Sequence, residues 1–427
     1  MISLPRLPRI IPQKNSIAAL DGVRALACIS VISYHIHYFL AHTYNLTAEL
    51  GTIGALVTMS GYSGVTLFFV LSGFLLFMPY AKALLGDNSW PSTRTFYLRR
   101  ALRILPGYYV SLCLLIVLAH PEYLQPEHWK DTGLFLTFLM DSTPATYQQI
   151  NGPFWTLAVE WQFYMLLPLL APGFSYLVRR GKSPKQRLWL LVICLLGMII
   201  WGIGTRYVGR YYTLNPNETL LVPRPVLDGI LLFTYGMAGK FFEVFAIGML
   251  VSSCYVFSQQ MGPEHSVSTS IHRYSLWLWG IGVLWLFFMA VWVAFPVFSF
   301  LQPHLGPHYW LSEFAYALGF GLCITAILFG PVGLQRLFEW NLLRWLGTLS
   351  YSLYIWHLPI LLFFKDRIIS SVQSWDFSHV YALYWLCVLC LIIPFAYAFY
   401  RRIEHPWIQR AHQTPPKEHA PEGQVTR

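Results

Sequence analysis

Apolar residues in this chain run in blocks rather than alternating with polar ones. Blocks long enough to cross a bilayer, about 20 residues each, lie at residues 18–41, 54–79, 104–119, 153–173, 188–206, 239–257, 274–298, 312–332, 345–364 and 378–400. The pattern predicts an all-α integral membrane protein, a polytopic bundle of about ten transmembrane helices. The third block is short for a span, and the sixth holds Lys240 and Glu243. Those two side chains, three residues apart on one helix, read as a structural ion pair. Around the membrane domain, residues 18–408, lie an N-terminal tail, 1–17, and a polar tail, 409–427, whose composition suits unstructured chain. No short apolar core with a small-residue cleavage site opens the chain, so the first helix is expected to be retained.

Composition excludes an ordinary soluble enzyme. Of 427 residues, 56% are hydrophobic, 17% aromatic and 11% charged, whereas soluble domains carry about 25% charged residues. The mean hydropathy is +0.49. The net charge of +10 follows from topology: the two tails and alternate loops hold 21 Lys and Arg, the opposite loops 6. Positively charged loops stay in the cytoplasm, so both termini are expected there, and no nucleic-acid partner is needed. The seven cysteines sit in apolar runs without metal-ligand spacing, so they read as small buried hydrophobes and no metal is expected.

Candidate chemistry enters with the polar groups inside the spans. In "DGVRALACISVISYHIHYF", Arg24 and His35 are 11 residues apart, about 20° beyond three full turns and about 16 Å along one helix face. Entering from the cytoplasm, that helix places His35 in the outer part of the bilayer. Counting along their own spans puts Glu160 about 10 Å below the outer surface and His357 about 18 Å up from the inner one. All three come out at a similar depth. A charged group there costs at least about 2.5 kcal/mol and usually faces a bundle interior or an aqueous cavity. A site of two imidazoles and a carboxylate is therefore expected. His37 and His42, near the outer interface, read as ordinary hydrogen-bonding residues. In "FYLRRALRILPGYYV", Arg99, Arg100 and Arg103 crowd beside the cytoplasmic surface. They suit phosphate, and equally suit topology anchors touching anionic lipid. Trp129, Tyr147, Tyr211 and Tyr212 in the outer segments suit sugar stacking or the membrane interface alike. A proton-coupled exporter is the alternative reading, since intramembrane ionisable groups relay protons. Against it, corresponding halves show no paired broken helices. A binding-only receptor leaves the inward-facing arginines unexplained.

Six motifs occur in one order: "LDGVRALACISVISYH", "GVTLFFVLSGFLL", "FYLRRALRILPGYYV", "WTLAVEWQFYMLLP", "LGTLSYSLYIWH" and "YRRIEHPW". Together they resemble membrane-bound acyltransferase family 3 over residues 18 to about 408. The resemblance implies transfer of an acyl group, acetyl most often, from cytoplasmic acyl-coenzyme A to a hydroxyl of a sugar-containing acceptor such as a surface polysaccharide, peptidoglycan, a glycolipid or a glycosylated metabolite. It implies that Arg24 and His35 are the functional arginine and histidine of the first helix, and that Arg100 and Arg103 form the basic motif that holds the donor. Glu160 and His357 fall in family motifs. Their depth suggests that Glu160 supports the imidazolium of His35, the general base, and that His357 lies at the substrate. A covalent acyl intermediate on a Ser, a Tyr or His35 is the variant mechanism. Some relatives carry a further extracytoplasmic domain; this chain ends about 26 residues after its last predicted span, so the membrane domain itself is expected to serve the acceptor. The expected location is a bacterial cytoplasmic membrane.

Overall fold

A computed structural model describes residues 17–413 apart from 87, 220, 263–265, 295–301 and 373. The predicted tails 1–17 and 409–427 therefore lie outside the described residues, except for Ile17 and residues 409–413. The helices run in the order α1 (Ala18–Leu40), α2 (Leu46–Met59), α3 (Gly64–Leu85), α4 (Thr93–Ala119), α5 (Trp129–Leu136), α6 (Phe154–Val178), α7 (Pro184–Leu214), α8 (Arg224–Thr234) and α9 (Phe242–Met261). They continue with α10 (Ser266–Ala294), α11 (Gln302–Leu305), α12 (Ser312–Phe329), α13 (Val332–Phe338), α14 (Asn341–Thr348), α15 (Ser350–Arg367), α16 (Phe377–Cys387), α17 (Ile393–Phe399) and α18 (His405–Gln413). α18 continues helically into the first residues of the predicted C-terminal tail.

Among the described residues, nine helical stretches are long and apolar enough to cross a membrane, and the pair α14 and α15, bent by 72°, makes a tenth if it counts as one span. Each of the ten predicted blocks falls on one of these. The protein is an all-α, multi-pass integral membrane protein.

Three details differ from the sequence reading. The third span begins at Thr93 rather than near residue 104, because Ser92 caps α4 by accepting from the Thr95 N–H. Its arginine-bearing first turns are helical but too polar for a hydropathy window to include. The ninth span breaks at Leu349, between α14 and α15. There Gly347 lets α14 lie directly on α1: a Cβ at that position would stand 2.0 Å from the Asp21 carbonyl oxygen. Lys240 and Glu243 do not pair with each other. Gly239 (φ 94°) and Phe241 (φ 57°) turn the chain left-handed just before α9, so Lys240 is off the helix. It pairs instead with Asp141 at 2.5 Å, while Glu243 takes Arg206 at 2.5 Å. All four side chains are buried, where an ion pair survives only when both charges find partners.

Two apolar cores fill the bundle, one built around α3, α4, α6 and α9, the other around α1, α15, α16 and the turn after it. α3 and α9 meet closely because Gly248 bears no side chain: a Cβ there would come within 2.0 Å of the Val70 carbonyl oxygen, the small-residue packing that membrane helices favour. Val65 and Phe68 on α3 pack against both cores, and the polar site lies along that seam.

Candidate active site

A cavity of about 80 Å³ opens between α1, α3, α4, α6 and α15. Arg24, Arg100 and Arg103 line it together with Ser72, Thr156, Glu160, Tyr164, Tyr351 and Tyr354. Helical spacing explains the arginines. Arg100 and Arg103 are three residues apart on α4 and so share a face, whereas Arg99, the next residue round the helix, is exposed and absent from the lining. Glu160 is the one carboxylate among the described lining residues. It accepts a hydrogen bond from the Ser72 hydroxyl. Three guanidinium groups against one carboxylate leave the cavity positive, the setting in which arginine binds phosphate in bidentate fashion.

Hydrogen bonds hold the walls in place. Tyr351 donates to the Ile104 carbonyl at 2.7 Å, tying α15 to α4. The Thr156 hydroxyl donates to the Pro153 carbonyl at 2.8 Å; its proton being so used, it accepts from the Tyr354 hydroxyl, also at 2.8 Å, which ties α15 to α6. Asn151 adds a bond to the Ile355 carbonyl at 2.8 Å.

Above Tyr354 stands a pair of imidazoles. His357 Nε2 lies 3.2 Å from His35 Nδ1, with ring centroids 5.0 Å apart. His357 is fully buried, His35 partly so. The Tyr354 ring is 5.7 Å from that of His357, so the pair sits one helical turn beyond the arginine cavity rather than in its lining.

The structure thus sorts the six predicted residues into two groups, Arg24, Arg100, Arg103 and Glu160 around the cavity, His35 and His357 against each other. Glu160 hydrogen-bonds neither imidazole; its carboxylate takes the Ser72 hydroxyl, in a cavity that the arginines also line. His37 is buried on another face of α1, its ring 5.3 Å from Tyr381 on α16. His42 is exposed. Of the outer aromatics, Trp129 and Tyr211 are exposed and Tyr212 is buried; Tyr147 is half-buried, its ring 5.7 Å from Trp155. Among the described residues no group of three or more His, Cys, Asp or Glu is placed to hold a metal ion.

The sequence reading passed over Ser72, Thr156, Tyr164, Tyr351 and Tyr354. A signal existed for one of them: Tyr354 stands three residues before His357, so it shares a helix face with a residue already singled out. Ser72 carried none, because a lone serine in an apolar run is ordinarily silent.

An acyltransferase domain model matches residues 17–401. Similar curated proteins include the peptidoglycan O-acetyltransferase OatA of Listeria monocytogenes, 26% identical over 367 residues that cover 82% of this chain and 50% of the relative. The putative peptidoglycan O-acetyltransferase YrhL of Bacillus subtilis is 24% identical over 408 residues, covering 91% and 54%. The O-acetyltransferase OatA of Staphylococcus aureus is 27% identical over 387 residues, covering 83% and 51%. The chain thus spans about half the length of these relatives. No solved structure matches it. With a family match across residues 17–401, nearly the whole membrane domain, this chain belongs to the acyltransferase domain family.

Proposed function

We propose that the protein is a membrane O-acyltransferase that moves an acyl group, acetyl in the first instance, from cytoplasmic acyl-coenzyme A to a hydroxyl of a sugar-containing acceptor at the outer side of a bacterial cytoplasmic membrane. The observation that carries this reading is the arrangement of a three-arginine cavity ending, at Tyr354, one helical turn below the imidazole pair. The donor is a thioester on a long flexible arm with phosphates at its far end. Arg24, Arg100 and Arg103 suit the phosphates, Glu160 and Ser72 hold the arginine-lined wall in order, and the arm points its thioester toward His35.

A sugar hydroxyl is a poor nucleophile at neutral pH, and a neutral imidazole can take its proton during attack. In the direct mechanism the acceptor oxygen bonds to the thioester carbonyl carbon while its proton passes to His35 Nε2. The carbon–sulfur bond then breaks, and the proton on His35 goes to the departing thiolate. The relatives' names point to peptidoglycan as the first acceptor to try. Purified protein in lipid nanodiscs, given acetyl-coenzyme A and solubilised peptidoglycan fragments, should release free coenzyme A thiol only when both are present. Thiol release independent of any glycan, or transport of glycan without thiol release, overturns the reading in favour of a hydrolase or an exporter.

A further inference from the structure

The hydrogen-bonding of the imidazole pair determines which nitrogen of each ring carries the proton, and so what His357 does. His35 Nδ1 lies 2.9 Å from the Val31 carbonyl oxygen. His357 Nδ1 lies 2.8 Å from the Tyr354 carbonyl oxygen and 3.2 Å from that of Leu353. A carbonyl oxygen can only accept, so each Nδ1 bears a hydrogen. In a neutral ring the other nitrogen is then a bare acceptor. His357 Nε2, 3.2 Å from His35 Nδ1, therefore accepts a share of the His35 Nδ1–H, which is divided between His357 and Val31. The reverse polarity would need two protons on His357, a cation in a fully buried ring, and would set a lone pair of His35 against the Val31 carbonyl; burial of an unpaired charge and a lone-pair clash both count against it. The titratable groups set against the pair are Tyr34 on α1, its ring 5.3 Å from His35, and Tyr354 on α15. Glu160 on α6 is turned to Ser72, and among the described residues no carboxylate bonds either ring.

We propose that His357 is a positioning residue: its Nε2 accepts from His35 Nδ1–H, holding His35 in the tautomer and orientation that leave Nε2 as the free base. This rests on the reading of His35 as the base. It gives His357 a neutral version of the task that a carboxylate performs beside many catalytic histidines. When His35 takes the acceptor's proton on Nε2, its Nδ1–H stays bonded to His357 Nε2 and the Val31 carbonyl. The new charge then has two acceptors already in place, and His357 itself exchanges no proton. The same geometry explains why a fully buried ring on α15 keeps a nitrogen directed at α1 rather than a methyl group.

The experiment compares His357→Phe and His357→Gln with the wild type, using acetyl-coenzyme A and solubilised peptidoglycan fragments. Phenylalanine fills the space and removes the acceptor, whereas the glutamine amide oxygen restores one. His357→Phe should lower kcat by about 10 to 100-fold, the range found when the partner that fixes a ligating imidazole is lost, with both KM values unchanged; His357→Gln should recover most of it. Full kcat in His357→Phe, equal loss in both variants, or a raised acceptor KM with kcat intact would overturn the proposal. Nitrogen-15 NMR of histidine-labelled wild-type protein, with the His35 resonances identified by their absence in His35→Ala, keeps the test open should the phenylalanine variant not fold. Nδ1 protonated and Nε2 bare is the expected signature, and the opposite tautomer overturns the proposal. An active His35→Ala enzyme would instead sink the assignment of the base, whereas an inactive one beside a fully active His357→Phe removes only the role given to His357.

Discussion

His35 and His37 stand two residues apart on α1 and have different surroundings: one ring meets another imidazole, the other packs on Tyr381. That difference makes His35→Ala the most direct test of the base. Its kcat should drop by roughly 10² to 10⁴-fold, as for loss of a general acid or base, while acetyl-coenzyme A still binds in a direct titration. The exposed His42, replaced by Gln, should leave activity unchanged and serves as the control. In the wild type kcat/KM should fall on the acid side, since a protonated imidazole cannot accept a proton, and that limb should be missing from whatever activity His35→Ala retains. For the arginines the expectation is a binding effect: Arg100→Ala with Arg103→Ala should raise the KM for acetyl-coenzyme A, because each charge-assisted bond to phosphate is worth about 1.5–3 kcal/mol. An unchanged donor KM would make them lipid anchors. Glu160→Gln asks which group Glu160 serves. With its carboxylate among the arginines, the change should appear in the donor KM; a loss confined to kcat would return Glu160 to the support of His35.

At the scale of elements, two buried ion pairs tie the segment before α6 to the one before α9, and α7 to α9. Asp141, before α6, is held by Lys240 and by the Gln162 amide at 2.8 Å, and Arg206 on α7 reaches Glu243 on α9 through two hydrogen bonds. Removing one partner of such a pair costs about 3–5 kcal/mol, because the other charge is left buried and alone. Lys240→Met should therefore lower the thermal midpoint in detergent clearly, and Lys240→Met with Asp141→Asn should recover a substantial part. Equal midpoints for the wild type and the single variant would show that water reaches Asp141. The bend between α14 and α15 belongs to the same scale. By laying α14 on α1 and turning α15 across the bundle, it brings Tyr351, Tyr354 and His357 to the seam between the two cores.

For the whole molecule the question is sidedness, since an inner donor and an outer acceptor require a particular orientation. By the positive-inside rule, the 21 to 6 division of Lys and Arg predicts Ser183, the cap of α7, inside and Gln125 outside. In a background with the seven native cysteines replaced, Cys at 183 should react with an impermeant thiol reagent only after permeabilisation, and Cys at 125 should react in intact cells. Inverted labelling would exclude a cytoplasmic donor at the arginine cavity.

The sequence by itself determined the spans, because twenty apolar residues in a row have few other places to go and Lys and Arg mark the ends of each run. It also gathered Arg99, Arg100 and Arg103 at the end of a span, but that Arg100 and Arg103 share a face followed only once α4 was seen to begin at Thr93. What it left open depended on how each helix is rotated and crossed against others far along the chain. His35 and His357 meet across 322 residues, and depth alone grouped Glu160 with them, though its rotation on α6 turns it to Ser72 instead. Lys240 and Glu243 looked like partners by spacing, until two left-handed residues took Lys240 off the helix and gave each its own counter-ion. Depth along a span can be counted from residue number; the direction a side chain faces at that depth is settled by tertiary packing, where glycines such as Gly248 and Gly347 set how closely two helices meet.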